Sequence, residues 1–158
     1  MMKEIVIPDK LYEYLENQGI TRRLTPSDIV VELILNNMDI KERINYMAKI
    51  SEEYLMVGDE LKNKGDLVDA GEMYWRGLSY LMKAVALRLG FDIQNYQDYF
   101  SLVDYLAFKY NDGEVVIMFT NAERLHGEFH PRPQGEKEFE YREEQLKRLI
   151  KKLREILK

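Results

Sequence analysis

Lys64-Gly65-Asp66-Leu67-Val68-Asp69-Ala70-Gly71-Glu72-Met73-Tyr74-Trp75-Arg76-Gly77, running on to Gly90, decides the fold of this chain. Lys64-Gly65-Asp66 is a compact turn in which glycine closes one helix and Asp66 caps the next. The helix that follows spans Leu67 to Leu89 and ends at Gly90. Ala70, Tyr74, Gly77, Leu81, Ala84 and Val85 recur on one face at helical spacing. Small residues at positions 70, 77 and 84 let a neighbouring helix approach closely, so this is predicted to be the most buried helix. A turn this short makes it one half of an antiparallel hairpin.

Working outward, Asp39 caps the other half, which runs to about Lys64 with Ile44, Met47, Ile50, Tyr54, Val57 and Leu61 on its apolar side. Downstream, a helix is predicted from Tyr96 to Tyr110, turned by Asn111-Asp112-Gly113. Another follows from Glu114 through His126, before Gly127, Pro131, Pro133 and Gly135 break the pattern. The last helix runs from about Glu136 to the end, with Phe139, Leu146, Leu149, Ile150, Leu153 and Ile156 facing inward.

Upstream, residues 3–7 form a short extended arm, and a helix is predicted from Pro8 to Asn17, ended by Gly19. Thr25-Pro26-Ser27-Asp28 starts a second small helix. Arm, helix and helix in this order resemble a ribbon-helix-helix DNA binder. The arm lacks the alternating polar groups that would read bases, so a helical hairpin packed on the main bundle is the better reading. The expected fold is therefore an all-α antiparallel bundle in one domain over residues 1–158. Within it, residues 1–38 form the arm and small hairpin, and residues 39–158 form the main bundle.

With 158 residues the chain is long enough to bury a substantial core, and 32% charged against 46% hydrophobic residues is a soluble mixture. The absence of cysteine excludes disulfides, thiolate chemistry and sulfur-ligated zinc. Met1 to Pro8 lacks the apolar core of a signal peptide, and no run of about 20 apolar residues spans a membrane. The expected location is cytoplasmic, with no membrane partner. A net charge of −5 argues against general affinity for nucleic-acid backbone. Lys147, Arg148, Lys151, Lys152, Arg154 and Lys158 crowd the C-terminal end behind an acidic stretch from Glu136 to Glu144. An acidic start and a basic end suit the dipole of one helix better than they suit a phosphate-binding stripe.

Both histidines lie in Arg124-Leu125-His126-Gly127-Glu128-Phe129-His130, the natural place for imidazole chemistry. His126 and His130 are four apart, a spacing suited to one metal ion, but no third ligand accompanies them and no metal or other cofactor is expected. Arg124 and His130 form an Arg-x5-His pair, in which arginine could steady a phosphate and histidine move a proton in metal-independent RNA cleavage. On an unbroken helix these two side chains point about 120° apart, so they meet only through the Gly127 break or across two subunits. Set against both is a structural role for His126, which shares its predicted face with Phe119 and Ala122.

The Lys64–Gly77 block, continuing through Lys83-Ala84-Val85-Ala86 to Gly90, resembles the "kGDlvqAsEKlWgAa" block of the archaeal PaREP family. Asn121-Ala122-Glu123-Arg124-Leu125-His126-Gly127-Glu128-Phe129 resembles that family's "LH.NFYE" block, and Asp39-Ile40-Lys41-Glu42-Arg43 its "LDpreR" entry to the bundle. The family is generally placed with HEPN-like (higher eukaryote and prokaryote nucleotide-binding) helical proteins. That resemblance implies a four- or five-helix bundle dimerising through its central helices. Many such proteins are ribonucleases with an Arg-x(4–6)-His motif at the dimer interface; others bind nucleotides or partner a nucleotidyltransferase. His126 matches the family histidine and Phe129 its phenylalanine, whereas His130 stands for the usual tyrosine and Pro131 for an acidic residue. Trp75 and Lys83 align with family positions and are the candidate ligand-binding residues. Leu125 stands where active nucleases usually carry a polar residue. The resulting expectation is a homodimeric module that binds a nucleotide, RNA or protein partner. The alternative is an endoribonuclease in which Arg124 holds the phosphate, His130 moves the proton and His126 orients one of them.

Overall fold

The computed structural model describes residues 2–127 and 135–158, and among these every regular element is helical: α1 Asp9–Ile20, α2 Pro26–Asn36, α3 Ile40–Asn63, α4 Leu67–Arg88, α5 Tyr96–Lys109, α6 Glu114–Glu123 and α7 Glu136–Leu157. The all-α bundle expected from the sequence is the observed fold. His130, like the rest of residues 128–134, lies outside the described residues.

The α3–α4 hairpin is the most extensive packing in the chain. The Asp39 side chain caps α3 by accepting the Glu42 N–H, and Asp66 caps α4 by accepting that of Asp69. Gly65 takes φ +82° in the turn between them, a conformation glycine adopts without strain. At the seam a Cβ on Gly77 would fall 2.8 Å from the Leu55 side chain and 3.1 Å from the Ser51 carbonyl. The approach of the two helices at that level therefore depends on glycine having no side chain. All six α4 positions read as its apolar face are buried. Helices α5, α6 and α7 complete the core around α4, burying Leu102, Leu106, Phe119, Phe139, Leu146 and Leu149.

Helices α1 and α2 form the small hairpin, which docks through Leu35 of α2 onto Met47 of α3 and Tyr80 and Ala84 of α4. Thr25 and Asp28 make a reciprocal capping box at the start of α2. Two expectations need correction here. Helix α1 does not stop at Gly19 but runs one residue past it, to Ile20, and the Gly19 carbonyl accepts the N–H groups of both Arg22 and Leu24 to fold the chain back. Helix α6 ends at Glu123, so His126 is not on its face beside Phe119. It projects instead from the turn after the helix, in which Leu125 and His126 donate their N–H groups to Ala122 and Glu123.

The basic end of α7 is largely spent within the chain. Lys152 pairs with Asp112, Arg148 with Glu114, Arg154 with Glu52, Lys147 with Glu143 and Lys158 with Glu155. These pairs favour the helix-dipole reading of that segment over a phosphate stripe. Among the described residues no helix is long and apolar enough to cross a membrane.

Candidate functional site

Between the α1–α2 hairpin, α4 and the α4–α5 loop lies a cleft of about 280 Å³. One wall is a polar stripe on the most buried helix: Glu72, Arg76, Ser79 and Lys83 succeed one another every three or four residues and all line the cleft. Opposite stand Arg22, Arg23, Asp28 and Glu32 of the hairpin, with Arg43 and Met47 of α3 below and Asp92, Tyr96 and Tyr99 of the α4–α5 region at the side.

Glu72 is the hub of one end. Its Oε2 lies 2.8 Å from His126 Nδ1 and accepts the Gly127 N–H at 3.3 Å, while its Oε1 accepts Arg76 Nε at 3.4 Å. Burial by itself works against the Glu72 carboxylate, but the bond and charge of His126, the charge of Arg76 and the Gly127 N–H outweigh it and hold the pKa below its ordinary value. An ionised carboxylate only accepts, so Nδ1 of His126 carries the proton and donates. The imidazole then stacks on the Trp75 indole, with centroids 5.2 Å apart and planes 10° from parallel. Tyr96 and Tyr99 close around Trp75 at 5.9 and 5.7 Å, and the Tyr96 hydroxyl donates to Glu123.

This arrangement depends on Gly71, one turn of α4 before Trp75. A Cβ there would lie 2.9 Å from the Leu125 carbonyl oxygen. Glycine lets the 124–127 turn press directly on α4, which delivers His126 to Glu72. Arg76 extends the network to the hairpin, its NH1 group lying 3.0 Å from Asp28 Oδ1. Asp28 thus uses one oxygen to cap α2, accepting from the Thr25 N–H and hydroxyl, and the other to bind α4.

At the other end of the cleft Tyr80 stacks on Tyr54 at 5.7 Å, and the Lys83 ammonium sits 5.1 Å from the Tyr80 ring centroid. Arg43 reaches Asp92 across 3.5 Å. Among the described residues no group of three or more His, Asp or Glu is placed to hold a metal ion. What the cleft offers is ring surface, fixed cations and a small volume.

Of the residues nominated from sequence, Trp75, Lys83 and His126 line this cleft together. Arg124 is exposed at the end of α6 and is not among the lining residues, and His130 lies outside the described residues. Sequence reasoning passed over Glu72, Arg76, Arg43 and Asp28. The signal for the first two was available, because the charged residues at positions 72, 76 and 83 form a single stripe along the mostly apolar middle of the helix. Arg43 and Asp28 lie on other elements, and no local pattern points them at α4.

The fold is an all-α bundle with a cleft opening at its side. The chain belongs to the archaeal PaREP1/PaREP8 family, whose model matches residues 47–150. The matched region holds Glu72, Trp75, Lys83 and His126, while the hairpin and Arg43 precede it. No curated protein and no solved structure matches the chain.

Proposed function

We propose that this protein is a binding module for a nucleotide-sized ligand, one that joins a planar ring to an anionic group, held in the cleft between the hairpin and α4. The observation that carries the reading is the cleft lining: aromatic rings from Trp75, Tyr80, Tyr96 and Tyr99 stand beside the cations of Arg43, Arg76 and Lys83. Rings give a base its stacking partners and cations give phosphate its counter-charges. The volume of about 280 Å³ lies just below the usual range of ligand pockets, about 300–1,000 Å³, and suits a single small ligand rather than a length of RNA. The general placement of the PaREP family with HEPN-like proteins, some of which bind nucleotides, points the same way. Binding is favoured over ribonuclease action because Arg124 is not among the residues lining the cleft. Calorimetric titration of ADP into the protein tests the reading: it predicts saturable binding at one ligand per chain, and heats no different from dilution would refute it.

The reading includes self-association as a homodimer. What supports it is apolar surface on α5 and α6, where Tyr105, Phe108, Tyr110, Val116 and Ile117 are exposed, Phe108 to 92%. Light scattering should then give twice the chain mass for the wild type and the chain mass for Phe108→Glu/Ile117→Glu. A wild-type monomer would dispose of this part.

A further inference from the structure

The cations lining the cleft are not equally engaged. Arg76 is matched by Asp28 and Glu72, and Arg22 by Glu32 at 2.8 Å. Arg43 differs. Its side chain is only 16% exposed, and among the described residues its one ion pair is the long 3.5 Å contact to Asp92 and its buried Nε has no hydrogen-bond partner. A buried guanidinium N–H without an acceptor is rare in folded proteins, so the Arg43 charge is under-satisfied by its neighbours. Lys83 is the second case: half-buried over Tyr80, it has no carboxylate of a described residue within ion-pair distance. Both side chains line the same cleft as Trp75 and Tyr96.

We infer that Arg43 and Lys83 form the phosphate end of this cleft, and that the ligand it takes carries a diphosphate group, as a nucleoside diphosphate does. The inference rests on the nucleotide reading above and gives that reading a direction. The Arg43 side chain lines the cleft, and its guanidinium has donors left over for a phosphate oxygen while Asp92 holds one NH2 donor across 3.5 Å. Lys83 adds a second positive charge from α4, and the Asp92 carboxylate that holds Arg43 also accepts from Gln94. The base then lies toward Trp75, Tyr96 and Tyr99, at the end where Glu72 and His126 are already paired.

Calorimetry with three probes separates the two claims: inorganic pyrophosphate, adenosine and ADP, each titrated into the wild type, Arg43→Gln and Lys83→Met, with thermal unfolding as the fold control. The expected result is that ADP and pyrophosphate bind the wild type and that each substitution weakens both by at least about tenfold, leaving adenosine unaffected. Arg43→Lys, which keeps the charge and removes the fork, serves if Arg43→Gln does not fold, and should fall between. ADP binding unchanged in Arg43→Gln and Lys83→Met would overturn the inference and leave the nucleotide reading standing. Pyrophosphate binding that depends on both residues, with ADP binding no tighter than pyrophosphate, would uphold the anion site and overturn the nucleotide reading. Failure of the wild type to bind pyrophosphate or ADP would overturn the inference.

Discussion

Glu72 and His126, 54 residues apart in sequence, are joined by a hydrogen bond of 2.8 Å between Oε2 and Nδ1, with the imidazole sandwiched against Trp75 on its other side. The pair locks the turn after α6 to the middle of α4 and so fixes one end of the cleft. Its cost of removal separates two contributions. His126→Ala loses both the bond and the stack and leaves Glu72 with less compensation. It should destabilise the fold by about 1–3 kcal/mol, read as a fall in melting temperature. His126→Phe keeps a ring on Trp75 and should recover part of that loss. A His126→Ala protein as stable as the wild type would show that the bond contributes nothing.

Acid should weaken the same pair in a predictable sense. The folded protein holds the Glu72 pKa below its unfolded value, so the unfolded chain takes up more protons as the pH drops. The stabilisation is complete above the ordinary carboxylate range and is lost as the pH falls through the lower, folded-state value. Glu143 behaves alike: burial opposes its charge, and Lys147 and Lys62 more than restore it. Denaturant unfolding followed from about pH 6 to about pH 3 should therefore show a smaller loss for Glu72→Gln than for the wild type. Equal slopes would mean that the Glu72 carboxylate gains nothing from its partners in the fold over the unfolded chain.

Asp28 couples a cap to a clamp, since its two oxygens hold the start of α2 and Arg76 of α4. Both groups of the Arg76–Asp28 pair are largely shielded from solvent. Asp28→Ala should cost about 1–2 kcal/mol and raise amide exchange in α1 and α2 more than in α3 and α4. Uniform exchange across all four helices would remove the clamp.

Gly71→Ala probes how the 124–127 turn reaches α4. The added methyl meets the Leu125 carbonyl, a backbone atom with no rotamer through which to escape. Destabilisation of about 1–3 kcal/mol is expected, with a changed Trp75 emission because His126 is pushed off the indole. An unchanged melting temperature and spectrum would show that the turn has room to spare.

The bundle was legible in the chain because helix signals there are local. Asp39, Asp66 and the Thr25-Pro26-Ser27-Asp28 run each act within one turn, and the α4 face repeats from Ala70 to Val85. The end of α6 was misread because apolar spacing through Ala122 and Leu125 continues past the point where the backbone turns. That turn packs on Gly71, which is remote in sequence. Half of the cleft was legible for the same reason. Trp75, Lys83 and His126 stand in distinctive local sequence, whereas Arg43 and Asp28 become part of the site only through tertiary docking of the hairpin.

The measurement closest to the central claim uses the fact that Trp75 is the only tryptophan in the chain. Its indole N–H gives a single, self-assigning nitrogen–proton resonance. Titration of ADP up to millimolar concentration should move that resonance along a saturable curve, since the indole lines the cleft the nucleotide enters. A resonance that stays in place while ADP saturates the protein would put the binding site elsewhere and contradict the account.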